Sequence, residues 1–382
     1  MRKSSKKIDI KEIESKTLLS KSRKIDSWFL SKFSMNIYRG CQHACVYCDG
    51  RSEKYQVEGQ FGKNVTVKTN ASELLQQELE KQFQKNQSKP GFIMIGGGVG
   101  DSYQPIEKDY QLTRKILTII NKYQIPIHIL TKSTLIQRDI EIIKSINNQK
   151  AIVSMSFSSV DDKISKLFEP GVPPPSQRLA VLKNFKEAGL ICGMYLMPTI
   201  PYITDTPGKI ESCFKKAGQI GLDFIVYAGL TLKEGRQKQF FYNFLEQNFP
   251  DLIEDYDELY DNSDKWGAPD SDYMGSYGRY LLSLSRKYKI PIRLPLDLVS
   301  DFITPKDQVI ATLEQIDYLR KMMGQKSSFG YTANNISRIK EDLYQVRHCL
   351  QTIKGVGPVT ERIIQDILNT GNSSYYEKLL RG

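Results

Sequence analysis

Tyr38-Arg39-Gly40-Cys41-Gln42-His43-Ala44-Cys45-Val46-Tyr47-Cys48-Asp49-Gly50-Arg51 places three cysteines within a few residues of one another. Thiols gathered this tightly serve soft metal chemistry more than packing. Iron–sulfur cubanes are usually held by four thiolates, and the next cysteine in the chain is Cys192. A cubane on this loop keeps one iron open to an outside ligand, which makes it a reactive cluster. Two alternatives draw on the same residues. Structural zinc on the three cysteines plus His43 is one, although zinc sites usually pair two short knuckles across a longer loop. A disulfide framework is the other, for which 6 cysteines in 382 residues are sparse.

The totals describe a soluble globular chain long enough for one large unit and a small one, with 40% hydrophobic and 25% charged residues. No stretch approaches the roughly 18 apolar residues of a membrane span, so no membrane partner is expected. The start of the chain is basic without an apolar core, unlike a secretory signal, and a reducing cytoplasm is the expected location. Net charge is +11, an excess that attracts polyanions or simply solubilises. It is unevenly spread: basic side chains dominate residues 1–35, and acids crowd Asp251 to Asp264.

Outward from the cysteines, apolar runs and helical patterns alternate. Strands are expected at 35–38, Phe92–Ile95, Ile125–Leu130, Ala151–Phe157, Leu190–Met197 and Leu222–Val226. Helices are expected between them, at Ser72–Lys85, Glu107–Tyr123, Leu135–Ile146, Ser176–Glu187 and Pro207–Ile220. Such alternation implies parallel pairing with right-handed crossovers. Gly96-Gly97-Gly98-Val99-Gly100 mimics a dinucleotide loop only loosely, because Pro105 follows and no helix opens directly. The expected fold is α/β, a partial (β/α)6 TIM-like barrel with a small all-α C-terminal domain. Its chemistry belongs at the C-terminal strand ends. The expected division is a basic leader at 1–34, the barrel at 35–300 and a helical region at 301–382. Helices are read at Arg236–Gln247, Tyr277–Lys287 and Gln308–Met323, with a linker over 324–328.

The cysteine run, with Asp101-Ser102-Tyr103-Gln104-Pro105-Ile106-Glu107, Thr113-Arg114, Thr131-Lys132-Ser133, Arg138-Asp139 and Phe168-Glu169-Pro170-Gly171, resembles the radical S-adenosylmethionine (SAM) superfamily. The branch it resembles holds spore photoproduct lyase and its "DNA repair photolyase" relatives, over roughly residues 16 to 320. The resemblance implies a [4Fe–4S] cluster on Cys41, Cys45 and Cys48 whose open iron binds S-adenosyl-L-methionine, and an electron donor such as a flavodoxin or ferredoxin. It also implies that Tyr47 packs near the adenine and that the Gly97 and Gly98 backbone receives the methionine amino group. The acidic residue usual in that glycine motif is absent. Lys132 matches the cation that pairs with the SAM carboxylate, as a point charge. Ser154 and Ser156, two apart on one strand face, are placed for the carboxylate or ribose. Arg178 reads as a second anion clamp or as a structural salt bridge. Spore photoproduct lyases carry a hydrogen-donating cysteine soon after the second strand, whereas Gly96 to Tyr103 here has none.

Leu350 to Leu368, with Lys354-Gly355-Val356-Gly357-Pro358, resembles a helix-hairpin-helix motif at about 345–369. Backbone amides at Gly355 and Gly357 would face a phosphate, and Lys354 and Arg362 would add salt-sensitive contacts that read no sequence. A packing hairpin is the structural alternative. The expectation is a radical SAM enzyme acting on a DNA base lesion, DNA being favoured over RNA. Modification of RNA or a protein, or an iron–sulfur nucleic-acid sensor without catalysis, are the competing readings.

Overall fold

The computed structural model describes residues 8–84, 92–146, 151–261 and 263–381. Its strands are β1 (Asp9–Ile13), β2 (Leu19–Asp26), β3 (Ser31–Met35), β4 (Tyr38–Arg39), β5 (Asn64–Lys68), β6 (Ile93–Ile95), β7 (Ile127–Thr131), β8 (Ala151–Phe157), β9 (Ile191–Thr199) and β10 (Phe224–Gly229). Seven of them form one sheet in the order β10-β9-β8-β7-β6-β3-β2. From β3 to β10 every pairing in that sheet is parallel, with Ile93 opposite Ile127 and Ile152 opposite Ile191, while β2 runs antiparallel to β3 at the edge. This is the expected partial (β/α)6 barrel. Strands β7 and β8 are buried at every position, as parallel strands covered on both faces must be.

The first barrel strand lies earlier than the sequence suggests, at Ser31–Met35, because Ser31-Lys32-Phe33-Ser34 hides its alternation behind polar side chains. Tyr38–Arg39 belongs instead to a small sheet of order β1-β5-β4, where Tyr38 faces Val67. Residues expected as a basic leader thus form β1, β2 and most of β3. Lys21 and Arg23 sit on solvated positions of β2, and Lys24 is half-buried against Glu314, so this edge strand reads as a charged tail.

The helices Ala71–Gln84, Pro175–Glu187 and Pro207–Ile220 lie close to their expected places; Lys85 falls outside the described residues. The expected helix over 107–123 is broken into Glu107–Tyr110 and Leu112–Tyr123 by Gln111, which is left-handed at φ 50°. That break turns the Glu107 carboxylate back to accept from Thr113 N at 3.0 Å. Helix Asp162–Phe168, capped by Asp161, is additional.

The C-terminal third is continuous with the barrel. Buried residues of helix Pro305–Met322 and of helix Pro358–Thr370 share one apolar core with the strands. Gln315 Nε2 donates to Ser27 O at 3.1 Å and Tyr318 OH to Tyr227 O at 2.7 Å. The helix therefore touches both ends of the curled sheet, beside β2 and on β10. The expected helix-hairpin-helix has one α-helix, Pro358–Thr370; its first member is a single 3₁₀ turn, Leu350–Thr352. The chain before that turn is held irregular by bonds such as Gln365 Nε2 to Arg347 O at 2.7 Å and Tyr344 OH to Leu368 O at 3.0 Å. Among the described residues no helix is long and apolar enough to cross a membrane.

Candidate functional site

The cysteine loop leaves β4 through Gly40 at φ 80°, where a Cβ would stand 2.3 Å from Asn64 O, so only glycine fits. Its backbone is then gripped from several sides. Gln104 Nε2 donates to Gly40 O at 3.1 Å while its Oε1 accepts from Gln42 N at 2.9 Å. Arg51 donates through Nε to Cys45 O at 2.9 Å and through Nη2 to Ala44 O at 2.8 Å. Its guanidinium stacks on Phe240, 3.6 Å from the ring centroid. The His43 ring lies between Gly171 O and Asp101 Oδ2, each at 3.1 Å. Each ring nitrogen thus faces an oxygen of this chain.

Above the loop opens a cavity of about 540 Å³ at the C-terminal ends of the strands. Cys41, Cys45 and Cys48 share its wall with Gly96, Gly97 and Gly98 after β6, Lys132 after β7 and Ser156 on β8. Burial, with neighbouring Asp101 and the other thiols, raises the Cys41 thiol well above its ordinary value; burial alone dominates at Cys45, pushed up to about 12. Bound iron reverses that preference, because a coordinating thiol is deprotonated outright. Among the described residues no three His, Cys, Asp or Glu side chains converge as ligands of one ion. A cubane asks for something different. Each thiolate takes its own iron, so three sulfurs along one wall suit it, whereas zinc needs ligands meeting at one point. His43, engaged on both ring nitrogens, is no fourth ligand. Cys192 and Cys213 are buried in the core, outside the cavity wall.

The polar side of the cavity is built on Glu169, fully buried behind it. Its carboxylate takes bonds from Tyr47 OH, from Ser165 Oγ at 2.8 Å and from Arg178 Nη2 at 2.5 Å, and lies 3.4 Å from Lys132 Nζ. Burial alone would raise this carboxyl; Arg178, Lys132 and the hydroxyl donors outweigh it and hold it at about 2. Two cations thus meet one carboxylate, leaving a net positive charge toward the cavity through Lys132, whose Nζ also donates to Ser156 Oγ at 2.6 Å. Asp101 is the second buried anchor. It accepts from Thr131 Oγ1 at 2.7 Å and Lys132 N at 2.8 Å. Burial pushes it up, yet His43 and these donors carry it below its ordinary value.

Of the residues expected from the sequence, the fold brings Cys41, Cys45, Cys48, Tyr47, Gly97, Gly98, Lys132 and Ser156 onto one cavity wall. Two of the expected cofactor residues stand elsewhere. Arg178 is fully buried, bonded to Glu169 and to Ser156 O, so it serves a carboxylate of this chain and presents no edge to the cavity. Ser154 lies deeper in the barrel, at 2.9 Å from His128 Nε2. Lys354 and Arg362 are exposed beside Gly355, which is left-handed at φ 93° and packs against Thr332. The remaining motif residues are buttresses. Glu107 accepts from Tyr38 OH at 2.5 Å and pairs with Arg138 at 2.8 Å, and Asp139 pairs with Arg114 at 2.8 Å. Asp49, part of the cysteine run but given no role there, stands on the cavity wall, bonded by buried Lys233 at 2.6 Å and Gln237 at 3.0 Å. No local pattern joins residues so far apart in sequence.

A family model described as the radical SAM superfamily matches residues 35–210. An uncharacterized protein of Methanocaldococcus jannaschii is 33% identical over 225 residues, 59% of this chain and 79% of its own. An uncharacterized protein of Mycobacterium tuberculosis is 30% identical over 234 residues, 60% and 67% of the two chains. Spore photoproduct lyase complexed with dinucleoside spore photoproduct superposes with TM-score 0.55 at 17% identity, covering 73% of this chain and 79% of that one. A doubly substituted form of that lyase, solved with bound AdoMet and the dinucleoside spore photoproduct, gives TM-score 0.53 at 16% identity over the same shares. At such identity the likeness is one of fold.

Proposed function

The chain belongs to the radical SAM superfamily, and from that premise we propose that it acts on a damaged or modified base in DNA. The single observation that carries the radical SAM chemistry is the shared wall of the cavity, where three loop cysteines, a glycine loop and Lys132 come together. Cys41, Cys45 and Cys48 would hold a [4Fe–4S] cluster, and the glycine loop and Lys132 the amino and carboxylate groups of AdoMet. A reduced cluster and AdoMet held there would supply radical chemistry at a C–H bond of the substrate.

The chain's own part is placement and exclusion. Ser156 orients Lys132 by accepting from its ammonium, and Glu169 keeps that ammonium over the Tyr47 ring, 5.6 Å from the centroid. Asp101 fixes the strand end that carries Lys132 and, through His43, the cysteine loop, so both halves of the cofactor site share one anchor. Support for DNA comes from the +11 charge, from the exposed Lys354 and Arg362 beside Gly355 and Gly357, and from the substrate bound by the similar lyase. Among the described residues the cavity wall carries no thiol beyond the loop cysteines. A repair relay that returns hydrogen from a further cysteine is therefore not carried over. A small one-electron carrier such as a flavodoxin or ferredoxin would deliver the electron.

The test is anaerobic reconstitution with iron and sulfide, reduction with dithionite, and measurement of 5′-deoxyadenosine from AdoMet with and without DNA. Nucleoside that rises with DNA supports the reading. Nucleoside indifferent to DNA moves the substrate to RNA or protein, and none from an intact, reducible cluster leaves a sensor.

A further inference from the structure

Trp266, with 53% of its surface exposed, stands on a loop tied on both sides to segments that run into the cavity wall. Its loop is built to hold it there. Asp264 Oδ1 accepts from Trp266 N at 2.8 Å and Ala268 N at 3.2 Å. Gly267 turns at φ 72° so close to Leu232 that a Cβ would stand 2.1 Å from its carbonyl, and Leu232 N donates to Gly267 O at 2.8 Å. Leu232 directly follows Leu230 and Thr231, which form part of the cavity wall. From the other side Lys54 donates to Lys265 O at 2.6 Å, and its neighbour Tyr55 is both cavity wall and 36% exposed. The ammonium groups of Lys54 and Lys265 lie 5.0 and 5.4 Å from the indole centroid.

An isolated exposed tryptophan needs no explanation. One fixed by a capped loop, with two ammonium groups over its ring and both flanks tied to segments of the cavity wall, does. Aromatic faces with interleaved cations bind single-stranded polynucleotide: each base stacks on a ring and the cations meet phosphate. Asp264, the nearest acid in sequence, is occupied with its backbone caps.

We propose that Trp266, with Lys54 and Lys265, is a stacking platform for the base next to the one that enters the cavity, holding an unpaired stretch of polynucleotide beside it. The assignment rests on the nucleic-acid reading of the site and adds where the strand lies. Trp266 is then a positioning residue, and the target nucleotide is presented already unstacked from that neighbour.

The test is fluorescence anisotropy of labelled single-stranded deoxy- and ribo-oligonucleotides against the full chain and its Trp266→Ala, Trp266→Phe and Lys54→Gln/Lys265→Gln variants. The alanine variant is expected to bind about tenfold or more weakly, the phenylalanine variant to recover most of that loss, and the double lysine variant to flatten the salt dependence by about two counterions. AdoMet binding, read by equilibrium dialysis, is expected to be unchanged in all three. An alanine variant that binds as tightly as the unaltered chain overturns the platform alone. An unaltered chain that binds neither oligonucleotide overturns the nucleic-acid reading, and the platform with it.

Discussion

The Glu169 carboxylate, with four partners and no exposure, ties Arg178, Lys132 and Tyr47 into one buried unit. Removing one member of such a pair strands the other charge, at about 3–5 kcal/mol. Glu169→Gln is therefore expected to lower stability by roughly that much at neutral pH, read by chemical denaturation. The pH dependence has a definite sign. Glu169 stands at about 2 against an ordinary 4.5, so its contribution is complete above 4.5 and lost as pH falls through that window toward 2. The gap between variant and unaltered chain should close over that window; a gap that persists at its acid end means the carboxylate's charge is not what holds the unit. Residue types made part of this visible in the sequence. Three close cysteines declare themselves, and a lysine at a strand end is where chemistry belongs. Arg178 stayed open between an anion clamp and a structural salt bridge, because spacing alone does not tell whether the anion is substrate or a carboxylate of the same chain.

At the scale of elements, the turn after helix Asp162–Phe168 is pressed onto the cysteine loop. Gly171 N donates to His43 O at 3.1 Å and Gly171 O faces the His43 ring. A Cβ at Gly171 would lie 2.6 Å from Gln42 O and 2.8 Å from His43 O, both rigid backbone atoms. Gly171→Ala is expected to cost about 1–3 kcal/mol and, by pushing the loop, to lower iron and sulfide bound per chain after reconstitution while the far-ultraviolet circular dichroism stays unchanged. Full iron loading in that variant would show that the loop tolerates the shift. Strands and crossover helices were legible because buried parallel strands are plain apolar runs. The strand pair β2 and β3 was not, since lysines and serines break up its apolar pattern and several of them, Ser31, Lys24 and Lys32 among them, find partners only in the folded chain. The broken helix at Gln111 escaped too, because the break answers to Glu107's partners and not to helix propensity.

For the molecule as a whole, the family match ends at residue 210, yet the curled sheet is spanned by helix Pro305–Met322. Gln315 reaches Ser27 and Tyr318 reaches Tyr227, while Lys32 pairs with Asp307 at 2.6 Å. A chain stopped after residue 304 is expected to lose cooperative thermal unfolding and to bind a hydrophobic dye, as a collapsed but unpacked state does. A stable, cooperatively folding truncation would show that the barrel stands without its brace. The brace also shares its core with the terminal helices, so the helical C-terminal region packs directly on the barrel.

That brace sets an order of events on the ribosome. The Tyr318–Tyr227 bond joins positions 91 residues apart and the Gln315–Ser27 bond positions 288 apart. At synthesis rates of about 5–20 residues per second, β10 waits roughly 5–20 s for its partner and Ser27 roughly 15–60 s. Throughout that interval the nascent sheet has free ends, the state in which strand edges find the wrong neighbours. Yield of this protein in a cell should therefore follow the supply of chaperones and the pace of translation more closely than the strength of the finished fold.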